Sequence, residues 1–297
     1  MLQPEQQTAL RKKCLDWISL SLKDFDPKGV KLYTIDQLYH NDVEFSGQQQ
    51  DDVVTVYKSL WDKAEFAWKG VIPDGWIQFD KSIRSLTLEH PDYPGYVFKF
   101  CSGSPSKGNK AAHFLRVPKG KELHRIVREE KLGTLDIVVE QLIAIKTSYE
   151  MKLLFDDEQA YQFIVKSIKL PLYNTEKTIE KLLSKPKLVQ ERVAEHIMKL
   201  ICKSGLGDVG FHNILYDPAT DKLVIVDTEP LYGSLLLDEP SLKDDQYKRT
   251  RVLIGLTNNL DCAITGLDMM IRSSSSLPIF KQVAEIYKDC MLQTYKK

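Results

Sequence analysis

Four side chains that carry oxygen atoms flank two short apolar runs within residues 206–230. Asp208 precedes the first run, and Asn213 begins it. Asp227 ends the second run, and Glu229 follows it. Mg²⁺ prefers oxygen ligands, and it is usually held by one or two side chains together with substrate phosphates. These residue types, in this placement, predict a site for Mg²⁺ and nucleotide phosphate.

The two apolar runs, at 213–217 and 222–227, predict β-strands joined by a turn at 218–221. A tight hairpin brings its ends together, so we expect Asn213 and Asp227 to lie side by side at its base. Asp and Asn are also common in turns because their side chains hydrogen-bond the local backbone. For each residue taken alone, a hairpin with a solvated rim is therefore the alternative.

The elements before the hairpin change from strands to helices. Alternation of apolar and polar residues predicts five strands, with a helix at 119–131 inserted after the third. The strands fall at 76–79, 85–90, 96–100, 135–146 and 160–170. Three- and four-residue apolar steps predict helices at 4–23, 51–68, 175–183, 188–203, 248–272 and 278–295. Ser204-Gly205 is predicted to form the C-cap of the helix at 188–203. The predicted strands and helices together indicate an α+β fold.

Composition restricts the class of protein. The chain has 297 residues, and its 41 basic and 41 acidic residues cancel, so net charge gives no support for a nucleic-acid partner. Five scattered cysteines without a C-x-x-C pair favour a reducing cytosol over a disulfide framework. The start of the chain lacks the apolar segment of a secretory signal, and no apolar run reaches the roughly 20 residues of a membrane span. We expect a cytoplasmic protein, with a secreted effector acting in a host cytosol as the alternative.

These residues and their order resemble the protein-kinase-like superfamily, which includes aminoglycoside and choline phosphotransferases as well as protein kinases. The resemblance covers roughly residues 76–230. Asp208 and Asn213 have the spacing of the family's catalytic-loop Asp, which takes or orients the acceptor proton, and of its metal-binding Asn. Asp227 ends an apolar strand, where the family's second metal-binding residue stands. Glu229 resembles the acid of the Asp-x-Glu sequence of small-molecule kinases, which implies a second carboxylate ligand.

The resemblance implies a bilobal fold with three parts. Residues 1–70 would form an N-terminal helical extension. Residues 71–168 would form a five-stranded antiparallel N-lobe with one helix. Residues 169–297 would form a reduced helical C-lobe that carries the catalytic-loop hairpin.

The resemblance also implies a phosphate clamp in the N-lobe. Lys99, on the third strand, would neutralise the α- and β-phosphates of ATP, and a glutamate on the following helix would hold it. Glu122, Glu129 and Glu130 compete for that role, and Glu122 is favoured because it lies about one helix length before the fourth strand. The alternative for Lys99 is a surface lysine, although an inward lysine between two aromatic residues would need an anion.

Other family positions match less well. The connector between the lobes, near Val165 to Leu170 and including Lys166, would contact the adenine of ATP. No glycine lies between the first two strands, at 78–87, where the family has a glycine-rich phosphate loop. Gly210 stands where the family usually has Lys or His contacting the transferred phosphoryl group, and His212 could take over that contact.

Three functions are consistent with this pattern. The leading one is an atypical ATP-dependent phosphotransferase that uses Mg²⁺ or Mn²⁺, with a small molecule, a lipid headgroup or a protein as acceptor. The missing glycine loop and Gly210 favour two alternatives, a catalytically inactive pseudokinase scaffold and a transferase that moves the nucleotide (AMP) instead of the phosphate. The N-terminal helices could bind a protein partner.

Overall fold

A computed structural model describes residues 1–27, 74–81, 85–91, 96–101, 116–132, 137–139, 141–144, 162–167, 174–219, 221–226 and 259–295. These residues form a mixture of helices and sheets, which confirms the α+β class. The helices are α1 (Pro4–Ser21), α2 (Arg116–Glu129), α3 (Thr175–Ser184), α4 (Lys187–Ser204), α5 (Leu260–Arg272) and α6 (Pro278–Tyr295). The strands are β1 (Ile77–Lys81), β2 (Ser85–Glu89), β3 (Tyr96–Cys101), β4 (Ile137–Val139), β5 (Gln141–Ala144), β6 (Gln162–Ser167), β7 (Ile214–Asp217) and β8 (Lys222–Ile225).

The first sheet has five antiparallel strands in the order β1-β2-β3-β6-β5. Strand β3 is central, and α2 follows it in the chain. Among the described residues, the prediction of three strands followed by a helix is therefore confirmed, and the two further predicted segments each contribute a strand to this sheet. Residues 82–84 make the whole connection between β1 and β2.

The strand predicted at 135–146 is two strands in two sheets. Strand β5 belongs to the five-stranded sheet, whereas β4 pairs in parallel with β8 in a second sheet of order β4-β8-β7. Only residue 140 lies between them, so the chain passes directly from one sheet to the other. Periodicity missed this change because both segments are apolar and extended, and the change concerns only their partners.

Helix α4 is the centre of the helical core. It packs against α2, α5 and α6, and α5 and α6 also pack against each other. Its end is fixed by Gly205, whose φ of 66° is left-handed and whose amide donates to Ile201 O at 2.8 Å. A residue with a Cβ is strained in this conformation, which explains the glycine and confirms the predicted C-cap.

Helix α1 is part of the same core. Leu10, Cys14 and Ile18 are buried along one side of it, and the helix packs against α6. The ring of Trp17 lies 6.1 Å from that of Tyr287 on α6. The described part of the predicted extension therefore contributes to the core, while the helix predicted at 51–68 lies outside the described residues.

A polar cluster ties α1, the end of α2 and α4 together. Glu130 accepts a hydrogen bond from Trp17 Nε1 at 3.1 Å and forms an ion pair with Lys203. Burial alone would raise the pKa of Glu130, but the hydrogen bonds from Lys203 and Trp17 outweigh burial and lower the pKa. The carboxylate is thus kept charged where it joins three helices.

Among the described residues, no helix combines the length and the apolar character of a membrane span.

His196 on α4 gives the stability of the fold a pH dependence. Its side chain is 8% exposed, and burial, followed by the charges of Lys199 and Arg192, lowers its pKa from 6.5 to about 4. Between these two pH values the unfolded chain binds more protons at this residue than the folded chain. The contribution of His196 therefore makes the free energy of unfolding fall as pH drops from 6.5 towards 4.

His196→Gln is expected to reduce this loss of stability, because glutamine does not titrate. The measurement is the urea midpoint of wild type and variant at pH 7, 6, 5 and 4.5. Groups that titrate in both proteins contribute equally, so the difference between the two slopes reports His196. Parallel slopes would show that the imidazole titrates normally in the folded chain.

Candidate functional site

The loop 205–213, between α4 and β7, holds the central candidates of the site. Ser204 Oγ accepts from Leu206 N at 3.1 Å and so fixes the first turn of the loop. Gly266 of α5 lies against the same turn, because a Cβ built on it would be only 2.1 Å from Leu206 O. The loop therefore starts from a close contact between its backbone and a helix of the core.

The middle of the loop is anchored by Phe211. Its side chain is fully buried, with its ring centroid 5.1 Å from that of Phe280 on α6 in an edge-on arrangement. Its carbonyl oxygen accepts a hydrogen bond from Thr175 Oγ1, at the start of α3, at 3.0 Å. These contacts hold the backbone between Asp208 and Asn213. Local sequence gives no signal for them, since the partners lie 36 and more residues away along the chain.

Asp208 and Asn213 are joined by a hydrogen bond within the loop. Asn213 is 6% exposed, and its Nδ2 donates to the backbone oxygen of Asp208 at 3.2 Å. Its backbone amide donates to Gly210 O at 2.9 Å. Because a carbonyl oxygen needs a donor, the amide nitrogen of Asn213 occupies this contact, and its Oδ1 is the atom that can face a cation.

Asp208 and His212 form a second contact at the rim of the loop. His212 Nε2 lies 3.1 Å from Asp208 Oδ1. The Asp208 side chain is 36% exposed and that of His212 is 53% exposed. Both groups are therefore accessible to a substrate, in contrast to the buried Asn213.

The hairpin continues this arrangement. Strands β7 and β8 pair antiparallel, with Ile214 opposite Ile225. Asn213 O accepts from Val226 N at 2.9 Å, so the pairing extends one residue beyond the strands. Val226 immediately precedes Asp227 in the chain. Asp227 and Glu229 themselves lie outside the described residues.

The three glutamates of the α2 region have different surroundings. Glu129 is exposed and forms an ion pair with Arg125 at 2.7 Å, and Glu130 belongs to the polar cluster described above. Glu122 is 5% exposed and interacts with other residues of the chain. Burying a carboxylate is costly unless a cation or hydrogen-bond donors compensate. Glu122 is therefore the one of the three with the burial expected of an internal ion pair.

Lys99 lies on the central strand of the five-stranded sheet. Strand β3 places it opposite Thr87 of β2 and Ile164 of β6. Its backbone position is thus in the middle of the sheet, paired on both sides. The prediction that it lies on the third of five strands is confirmed, and its role as a phosphate ligand stays a prediction.

Val165 and Lys166 lie inside β6, where both pair with β3 and with β5. Strand β6 ends at Ser167, which pairs with Gln141, the first residue of β5. Two residues before Gln141, Val139 pairs with Ile225 of the hairpin. The end of β6 and the hairpin are therefore linked through two strand pairings that lie two residues apart in the sequence.

In its described part, the site is a loop held by buried anchors, with an accessible carboxylate, an accessible imidazole and a buried amide. Among the described residues, no three His, Cys, Asp or Glu side chains group closely enough to hold a metal ion. That finding does not include Asp227 and Glu229. The loop itself can therefore supply a proton acceptor and one amide oxygen.

No protein-family model matches this chain, and no curated protein matches it significantly. A functional conclusion therefore depends on the residues of the chain and their geometry.

Proposed function

We propose that this chain is an atypical ATP-dependent phosphotransferase with the bilobal fold of the protein-kinase-like superfamily. The five-stranded antiparallel sheet with α2 would form the N-lobe, and the helices around α4 would form the C-lobe. The order of elements supports this, since the loop and hairpin with the candidate residues directly follow α4, a helix of 18 residues. The domain limits at residues 70 and 168 stay predictions.

The observation that carries the proposal is the environment of Asn213. Its side-chain Nδ2 donates a hydrogen bond to the Asp208 carbonyl oxygen. Its backbone oxygen accepts one from the amide of Val226, the residue before Asp227. Asn213 therefore connects the candidate base to the residue that precedes the candidate metal ligand Asp227 in the chain. A hairpin with a solvated rim would not require a buried Asn at its base.

The residues fit a hard divalent cation, because Asn213, Asp227 and Glu229 all offer oxygen donors. Asn213 Oδ1 and an Asp227 carboxylate oxygen would hold Mg²⁺ or Mn²⁺, with Glu229 as a further ligand. When bound, the cation would neutralise negative charge on the phosphates of ATP. The buried state of Asn213 supports this role, since its amide oxygen is held in a fixed position.

Asp208 would act on the acceptor. Its carboxylate would take the proton of the acceptor hydroxyl while the hydroxyl oxygen forms a bond to the γ-phosphorus and ADP leaves. The accessibility of its side chain supports this role, whereas the hydrogen bond to its backbone oxygen keeps its position fixed. The acceptor is a small molecule, a lipid headgroup or a protein hydroxyl.

Lys99 and Glu122 would form the phosphate clamp. The burial of Glu122, together with the separate partners of Glu129 and Glu130, supports the choice of Glu122. Because Val165 and Lys166 already pair with strands on both sides, we place the backbone contacts to adenine just after Ser167. The linkage of β6 to the hairpin would bring that connector close to the metal ligands.

The described cysteines support action in a reducing compartment such as the cytosol. Four of them, Cys14, Cys202, Cys262 and Cys290, are buried and form no disulfide within the described part of the chain. A partner of the N-terminal region would have to bind surfaces other than the side of α1 that packs into the core.

Product analysis with labelled ATP tests the type of transfer. With Mg²⁺ or Mn²⁺, we expect label from the γ-phosphate to move to an acceptor, to the chain itself or to water, while label in the α-phosphate stays in ADP. Transfer of α-label would instead support AMP transfer, which the missing glycine loop keeps as an alternative. Nucleotide binding without any transfer would indicate a pseudokinase.

A further inference from the structure

The Asp208–His212 contact differs from a phosphate contact. His212 Nε2 lies 3.1 Å from Asp208 Oδ1, within hydrogen-bonding distance. An ionised carboxylate only accepts hydrogen bonds, so the imidazole nitrogen is the donor. Nε2 therefore carries the proton in this contact and is directed at the candidate base.

Gly210 is matched to the position of this imidazole ring. A Cβ built on Gly210 would lie 2.6 Å from His212 Nδ1, 2.7 Å from Cε1 and 3.9 Å from Cγ. Nearly equal distances to Nδ1 and Cε1, with Cγ much farther, put this point close to the ring plane at the Nδ1–Cε1 edge. Any side chain at position 210 would therefore displace the ring from Asp208 or move the loop.

We propose that His212 is a positioning residue, which holds Oδ1 of Asp208 through Nε2–H so that Oδ2 faces the acceptor hydroxyl. The inference depends on the proposed function and assigns His212 a different role from a phosphate ligand. The loop fixes the backbone of Asp208 through Asn213, but a carboxylate can still rotate about its terminal torsion. The imidazole supplies the missing constraint.

In the proposed transfer step, every bond that forms is matched by one that breaks. The acceptor O–H bond breaks, its proton passes to Asp208 Oδ2, and the freed oxygen bonds to the γ-phosphorus while the bond to ADP breaks. His212 keeps its proton throughout. Its contribution is the orientation of the base, so its removal should affect turnover and leave ground-state nucleotide binding intact.

Kinetics of four variants test this role. For His212→Ala, we expect kcat for ATP turnover to fall about 100-fold, the scale of a misplaced catalytic group, with KM for ATP nearly unchanged. His212→Gln keeps a side-chain N–H donor and should recover part of the loss. Gly210→Ala should reproduce the loss, because its methyl group displaces the ring. His90→Ala is the matched control, since that ring contacts Trp76 and lies outside the loop.

A double-mutant cycle separates the shared mechanism from two independent defects. If Gly210→Ala acts by displacing His212, the double variant Gly210→Ala/His212→Ala should be no slower than His212→Ala alone. If the losses in kcat of the two single variants were fully additive in the double variant, Gly210→Ala would not act by displacing His212. A raised KM for ATP with unchanged kcat in His212→Ala would also overturn positioning, in favour of a direct phosphate contact.

Imidazole NMR of the full chain tests the contact without nucleotide. Long-range ¹H–¹⁵N correlations should show His212 protonated at Nε2 in wild type, and Asp208→Ala should shift the Nε2 resonance of His212 while leaving that of His90 unchanged. Wild type that binds no nucleotide would overturn the proposed function, and with it the positioning role of His212, whatever the NMR result. Nucleotide turnover combined with a His212 Nε2 resonance that does not respond to Asp208→Ala would overturn the positioning role alone.

Discussion

Replacing Asp208 with asparagine is expected to lower kcat about 10²- to 10⁴-fold, the usual contribution of a general base. Asparagine has nearly the same size, but it cannot take the acceptor proton. The backbone oxygen at position 208 still accepts from Asn213 Nδ2, so the loop should keep its form. Single-turnover transfer of γ-labelled phosphate measures the loss, and thermal unfolding with and without ATP measures retained folding and binding.

Asp289→Asn provides the matched control for this change. Its carboxylate is exposed on α6, where it pairs with Arg11 at 2.8 Å. An exposed ion pair contributes little to stability, so this variant should behave like wild type. If Asp208→Asn transferred phosphate at the wild-type rate, the assignment of Asp208 as the base would be wrong.

Replacing Asp227 with alanine is expected to remove the metal-dependent part of ATP binding. The hydrogen bond between Val226 N and Asn213 O joins Asn213 to the residue that precedes Asp227 in the chain, and the proposal has Asp227 share a cation with Asn213. Loss of a residue that only orients a metal ligand typically lowers metal affinity about 10- to 100-fold. Because Asp227 would bind the metal directly, we expect its loss to lower metal affinity at least about 100-fold. Titration calorimetry with ATP at several Mg²⁺ concentrations measures this loss.

Asp221→Asn is the control at the opposite end of the same hairpin. Asp221 pairs with Lys185 at 2.7 Å, and its φ of 56° is one that asparagine tolerates. This variant should leave the Mg²⁺ dependence unchanged. Equal affinities of wild type and Asp227→Ala across the Mg²⁺ series would remove Asp227 from the site.

Much of the local structure could be predicted because it depends on local patterns. Alternating residues placed the strands of the five-stranded sheet, and the change to helical periodicity placed α3 and α4. Gly205 marked the end of α4 because a left-handed backbone favours glycine. The five-residue step from Asp208 to Asn213 corresponds to a short loop in which the side chain of one reaches the backbone of the other.

Contacts between distant parts of the chain could not be predicted in this way. The separation of β4 from β5 depends on which strand each one pairs with, and both segments look alike in sequence. Thr175, Gly266 and Phe280 hold the loop from three different helices, and none has a local pattern that indicates it. The choice among Glu122, Glu129 and Glu130 likewise needed their burial and partners, which spacing along a helix leaves undetermined.

The position of His212 illustrates the same limit within a single loop. Sequence reasoning treated Gly210 as a departure from the family pattern and His212 as a substitute phosphate ligand. The geometry relates the two residues to each other, since the absence of a side chain at 210 admits the imidazole beside Asp208. In the family comparison Gly210 looks like the loss of a phosphate contact. In the structure, a residue without a side chain is needed there for His212 to reach Asp208.

Thermal unfolding of the wild-type chain with ATP, in the presence and absence of Mg²⁺ or Mn²⁺, tests the central claim most directly. A ligand at 100 times its Kd adds about 2.7 kcal/mol to the free energy of unfolding, which is enough for a clear rise in Tm. The account predicts a rise that requires both nucleotide and metal. An unchanged Tm with every combination of nucleotide and metal would contradict it.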